Sequence, residues 1–184
     1  MTANKDTDIP VIDDSAETPV TVRLAGPEDL VAITKAHQRA LGPGRYALTA
    51  YRVREGTPPL SQFCHVAESG KDILAAVRFT PVSIGGRSGA LLLGPVAVDP
   101  NHLNQGLGQA VINAGIARAR ESGAQLVVLV GDSTYYGRLG FAPVPPGQIR
   151  FPGPVNPARI LAMELVEGAL SGFKGEIRAS DGLF

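Results

Sequence analysis

The chain has 184 residues, 44% of them hydrophobic, which is enough for one domain with a sizeable core. Its 17 Lys and Arg balance 17 Asp and Glu, so no global field recruits nucleic acid or anionic membrane. The single Cys64 excludes a disulfide framework within the chain, and no apolar run approaches the ~18 residues of a membrane-spanning helix.

Residues 1–18 are polar, charged and free of aromatics, the composition of a disordered tail, with a single domain expected over 19–184. This acidic start is unlike a signal peptide. In Pro19–Leu24, Val20, Val22 and Leu24 alternate with polar residues, which predicts a strand. Pro27 opens a helix with Glu28 and Asp29 in its first turn, where acids suit the helix dipole. Its apolar stripe is Leu30, Ile33, Ala36 or His37, Ala40 and Leu41, and Gly42 ends it. Arg45–Glu55 reads as a second helix, stopped by Gly56-Thr57-Pro58-Pro59.

Three strands are expected next, at Phe63–Glu68, Ile73–Ile84 and Ala90–Val98. The turn chemistry of Ser69-Gly70-Lys71-Asp72 and Gly85-Gly86-Arg87 makes them an antiparallel meander. Leu107–Ser122 has the apolar spacing of a helix closed by Gly123. Leu126–Val130 is continuously apolar, the mark of a strand covered on both faces. Strand, helix and strand together predict a right-handed βαβ unit. A short helix at Tyr135–Leu139 and a last strand at Ile160–Val166 complete the α/β pattern.

The chemistry concentrates in Leu91–Gly108, LLLGPVAVDPNHLNQGLG. A strand here runs into a loop with Gly106 and Gly108 that opens a helix. The first amides of a helix lack intrahelical partners and carry the positive end of its dipole, so this loop suits a pyrophosphate. Gly108 is followed by Gln109 and Ala110, which excludes a Walker A loop, and Val111 stands where the dinucleotide fingerprint needs Gly or Ala. From these residues alone, an anion cradle and a plain tight turn both remain open.

Three segments carry a resemblance: Val96-Ala97-Val98-Asp99-Pro100, Asn104-Gln105-Gly106-Leu107-Gly108-Gln109, and Tyr135-Tyr136-Gly137-Arg138-Leu139-Gly140-Phe141. Together they resemble the GNAT superfamily of N-acetyltransferases over about Val20–Glu167. LLLGPVAV, GDSTYYGRLGF and Arg150-Phe151-Pro152-Gly153-Pro154 are similar to its YhbS-like branch. The resemblance implies a mixed, mostly antiparallel sheet of six or seven strands, splayed between strands 4 and 5, with helices on both faces. Pro95 and Pro100, which lack N–H donors, help end regular pairing beside Val96–Val98. It also implies acetyl-CoA as co-substrate and no metal. Backbone groups of Val96, Ala97 and Val98 would meet the pantetheine and acetyl group. Amides of Asn104, Gln105, Gly106, Leu107, Gly108 and Gln109 would hold the pyrophosphate. The family usually has Gln or Arg at Leu103 and Gly at Asn104, and Asn is the best non-glycine substitute for a positive φ.

In the same resemblance Tyr136 protonates the departing thiolate, with neighbouring helix amides able to lower its pKa, while Tyr135 packs. The implied activity is direct acetyl transfer to a small-molecule or peptide amine, and a homodimer is left open. No acid lies in Gln125–Val130, so Glu68, Asp99 or water remains as the general base. Asp132 suits the cap of the following helix. That missing acid and Leu103 also fit a weak or inactive acyl-CoA-binding sensor. His37, His65 and His102 have no metal-ligand spacing, and Cys64 reads as a core residue. Arg45, Arg52 and Arg54 near Tyr51 form either a solvated helix face or the wall of a site for an acidic acceptor. The expected location is the cytoplasm.

Overall fold

A computed structural model describes residues 18–42, 44 and 49–184. All but the last residue of the expected tail over 1–18, and the first residues of the second expected helix, Arg45 included, lie outside the described residues.

Strand β1 (Val20–Leu24) leads through a 3-10 turn at Pro27–Asp29 into helix α1 (Leu30–Leu41), and α2 (Thr49–Val53) follows. Strands β2 (His65–Ser69), β3 (Asp72–Ile84) and β4 (Arg87–Val98) form the predicted meander, with each neighbouring pair antiparallel. Helix α3 (Leu107–Glu121) and strand β5 (Leu126–Val130) complete the crossover, because β4 and β5 pair in parallel. Helix α4 (Ser133–Gly137) begins two residues before the expected position, because Asp132 accepts hydrogen bonds from the amides of Thr134 and Tyr135. Strands β6 (Ala142–Pro143), β7 (Ile149–Arg150), β8 (Ile160–Glu164) and β9 (Gly175–Ala179) finish the chain. The main sheet path is β1-β2-β3-β4-β5-β8-β6, with β9 pairing with β3 and β7 with β9. It is mixed and mostly antiparallel, as expected. The five-residue β9 escaped the sequence reading because GEIRA is too short and polar to stand out; it forms by pairing with Val82–Ile84.

The central strands carry apolar residues at successive positions, and alternation divides them between two faces. On one face Val77, Phe79, Leu91, Leu93, Val127 and Leu129 pack against Val111, Ile112 and Ile116 of α3. On the other, Val82, Ala90, Leu92, Leu126 and Val128 pack with Val53 of α2, and with Phe173 and Ile177 from the C-terminal segment. Ile33 of α1 covers Val66 and Ala76 nearby. Helices therefore lie on both faces.

The start of α1 is fixed by a buried carboxylate as well as by Pro27. Asp29 accepts from Gly26 N at 2.7 Å and from both Arg23 guanidinium nitrogens, at 2.7 and 2.9 Å. Arg23 also reaches Glu68 at 2.6 Å, which links β1, the head of α1 and β2. These hydrogen bonds hold the Asp29 carboxyl below the usual range, against the opposing pull of its burial.

Helix α3 rides close on the sheet because it carries glycine where it crosses Phe79. A Cβ at Gly115 would collide with the edge of the Phe79 ring, which has no solvent exposure and so little room to move. Gly115→Val should therefore lower the unfolding free energy by about 2–4 kcal/mol, at or above the ordinary cost of overpacking. The checks are a shifted urea midpoint and an unchanged slope.

Candidate active site

The parallel pairing of β4 with β5 extends over only three residue pairs, ending at Leu92↔Val128, while β4 stays paired with β3 to Val98. The register with β3 slips between Phe79↔Leu93 and Val77↔Val96, so β4 carries one extra residue around Gly94-Pro95. A bulge of this kind bends its strand and increases the twist. Gly94 accepts the required φ of 113°, and Pro95 has no N–H to offer β5. The sheet therefore opens beside Val96–Val98, and the parting begins at this bulge; Pro100 lies beyond it in a 3-10 turn.

A cavity of about 150 Å³ occupies the mouth of the opening. Pro95 and Val96 line one wall, Val130 and Tyr136 another, and Tyr51 and Arg54 close it from the α2 side. Thr49 of α2 is tied by its hydroxyl to the Pro154 carbonyl at 2.7 Å, which fastens this side of the cavity to the 150–154 loop.

Beyond Val98 the chain turns through the expected loop. Asn104 has φ 61°, so it adopts the left-handed conformation that asparagine tolerates. Gly106 is the N-cap of α3, also left-handed, and no side chain caps the helix. The first-turn amides are thus left for a ligand. Gly108 sits between this loop and β4: a Cβ there would lie 3.2 Å from Val98 Cγ2 and 3.2 Å from Tyr135 Oη. Backbone amides, a side-chain-free floor and a positive helix end suit a pyrophosphate. Leu103 is 55% exposed and adds no polar group.

The two tyrosines divide the opening between them. Tyr136 packs edge-on against Phe141, at 5.9 Å between ring centroids, and crosses Gly131, where no Cβ would fit. Burial, with a smaller push from Tyr135, drives its phenol up to about 12, so the expected lowering by helix amides is overridden. Tyr135, expected to pack, is instead 46% exposed, and its hydroxyl reaches across to the first turn of α3. Sequence reasoning passed over Gly131 and Gly94. Their only signal was a glycine at the end of one apolar strand and before a proline in another.

Other candidates are placed elsewhere. Glu68 is held by Arg23, which keeps its carboxyl ionised below the usual range. Asp99 accepts from Asn101 N at 2.9 Å and lies 3.1 Å from His102 Nδ1. Neither is among the residues around the Tyr136 cavity. His37 and His65 are buried, and among the described residues no group of His, Cys, Asp and Glu could hold a metal. Cys64 is 1% exposed and its thiol donates to the Phe79 carbonyl. Of the arginine set, Arg52 is exposed beside Gly153, whereas Arg54 is buried in the cavity wall.

The profile of the Acetyltransferase (GNAT) family matches residues 30–141. The chain belongs to this family. It is 28% identical over 137 residues to the uncharacterized N-acetyltransferase YjhQ of Escherichia coli K12, covering 73% of this chain and 75% of YjhQ. The fold is similar to that of the GNAT N-acetyltransferase YhbS of Escherichia coli in complex with CoA. The TM-score is 0.74 at 25% identity, covering 91% of this chain and 93% of that one. A GNAT acetyltransferase of Brucella melitensis in complex with acetyl-CoA gives 0.58 at 32% identity, over 79% and 96% of the two chains. The protein is an acyltransferase, an N-acetyltransferase by family.

Because Val98 and Tyr135 face the opening, a side chain at Gly108 should disturb ligand more than fold. Gly108→Val should weaken acetyl-CoA binding by about 10- to 100-fold, roughly 1.4–2.8 kcal/mol. Calorimetric titration beside a thermal melt checks this. A drop in melting temperature without loss of affinity would reduce the loop to a plain turn.

Proposed function

We propose that the protein transfers an acetyl group from acetyl-CoA to an amine by direct attack, in the cytoplasm, with Tyr136 serving the departing sulfur. The observation that carries this is the meeting, at one opening in the sheet, of free loop amides, the unpaired edge of β4 and Tyr136. Acetyl-CoA supplies the activated acyl group as a thioester.

The amides of Asn104 through Gln109 and the positive end of α3 would neutralise the pyrophosphate. Past Leu92 the β4 edge that faces away from β3 has lost its β5 partner, so backbone groups of Val96, Ala97 and Val98 can pair with the pantetheine and orient the acetyl carbonyl. Holding both reactants in this opening provides the main rate advantage. An N–C bond forms as the C–S bond breaks, one proton leaves the amine and one reaches the sulfur.

Among the described lining residues there is no thiol, amine, carboxylate or imidazole, which supports direct attack over an acyl-enzyme. Water is then the acceptor of the amine's proton. Tyr136, its phenol raised to about 12, remains protonated at neutral pH and offers its hydrogen to the developing thiolate. Tyr135 closes the opening at the pyrophosphate end.

Tyr136→Phe should lower turnover by about 10- to 1000-fold with little change in acetyl-CoA affinity. The loss should shrink above the pKa of CoA's own thiol, where a thiolate leaves without needing a proton. A raised pKa keeps the tyrosine neutral at every pH below it, so its own ionisation contributes no limb to a pH profile between 6 and 10. Tyr135→Phe should act on acetyl-CoA affinity and spare turnover. A thiol-release assay over amines, polyamines and amino acids reads these effects. Acetyl-CoA binding without release on any acceptor would mark a sensor instead.

A further inference from the structure

One wall of the cavity holds a cation that has no counter-ion among the described residues. Arg54 is 5% exposed. Nη1 donates to the Ala50 carbonyl at 2.9 Å and Nη2 to the Leu93 carbonyl at 3.4 Å, while Nε has no hydrogen-bond partner. Among the described residues no carboxylate lies within ion-pair distance of it. Its guanidinium fronts the bulge, since a Cβ at Gly94 would lie 3.6 Å from Nη2. It therefore stands where β4 parts from β5, in the wall of the cavity that contains Tyr136.

A second guanidinium stands close by. Arg78 of β3 donates to Thr57 Oγ1 and to the Pro58 carbonyl, both at 2.8 Å, and likewise has no carboxylate partner among the described residues. It lines a neighbouring recess that shares Tyr51 and Pro95 with the Arg54 cavity. Burial, and then Arg78, pull the Arg54 guanidinium down to about 9, which still leaves it charged at neutral pH. Besides the Ala50 and Leu93 carbonyls it meets, among the described residues, only the Tyr51 ring, 5.7 Å from centroid to guanidinium carbon, which compensates a buried charge far less than an anion would. An arginine fork is shaped to receive a carboxylate, and such an anion would remove the imbalance.

We propose that Arg54, with Arg78 behind it, binds the carboxylate of a small amino-carboxylate acceptor, whose amine then faces the opening beside Tyr136. This rests on the transferase reading above. The cavity, about 150 Å³, has room for a small molecule, roughly five waters' worth of volume at ~30 Å³ each. A peptide N-terminus has an amide where a free amino acid has its carboxylate. The proposal therefore selects the small molecule over the peptide.

The test is calorimetric titration of the CoA-loaded protein with free amino acids, β-alanine and 4-aminobutyrate, each beside its own amide. At least one acid should bind about 100-fold or more tighter than its amide, because a buried cation left unpaired penalises the neutral analogue. Arg54→Gln should erase that preference, and Arg54→Lys should retain part of it. Equal binding of acids and amides, no binding by any of them, or a preference that survives Arg54→Gln overturns the proposal. If Arg54→Gln fails to fold, the acid-to-amide ratio of the wild-type protein decides alone. Thiol release is read separately. Acid-selective binding without release keeps the anion site and removes the transferase reading. Release that is equally fast with amides keeps the transferase and removes the anion site.

Discussion

The parting of β4 from β5 after Leu92↔Val128 is the constraint on which the site depends. An edge inside a sheet is costly, since each unpaired backbone group must find water or another partner. Here the bulge at Gly94-Pro95 makes the parting a property of the chain, since it turns β4 with β3 and away from β5. The carbonyl of Leu93, just past the last rung, is taken by Arg54. The edge from Val96 to Val98 stays without a β5 partner.

Close approach of α3 to the sheet is the second requirement. Gly115 lets the helix settle on Phe79, and Gly108 lets its first turn come down beside Val98. The same descent brings the uncapped amides of the helix to the end of the open strand. One helix is therefore placed in two ways: its buried face against the core and its uncapped first turn at the opening. The Arg23–Asp29–Glu68 network plays a quieter part on the other face by anchoring the head of α1.

The two tyrosines show how adjacent residues in one short helix acquire different work. Asp132 sets the start of α4 and so the rotation of the side chains that follow. Tyr136 turns inward over Gly131 towards Phe141, and burial keeps its proton on. Tyr135, edge-on to it at 4.9 Å between centroids, turns outward to the first turn of α3. One ring lines the cavity beside Val96 and Val130, and the other reaches the first turn of α3.

The sequence by itself determined the meander, the crossover and the loop. Period-two and continuous apolar runs, glycine turns and the helical stripe of α3 are local patterns, and Leu126–Val130 was legible to the residue. Asn104, standing where the resembled family has glycine, likewise pointed to its left-handed backbone. The fate of charges and rings was decided by the tertiary structure. Arg54 follows a five-residue helix in an arginine-rich stretch that also suits a solvated face, and only the tertiary fold buries it against Leu93 of β4 without a counter-ion among the described residues. Glu68 and Asp99 are acids near promising segments until Arg23, Asn101 and His102 claim them. Burial and pairing are sums over residues far apart in the chain, so neither a window of sequence nor a motif contains them.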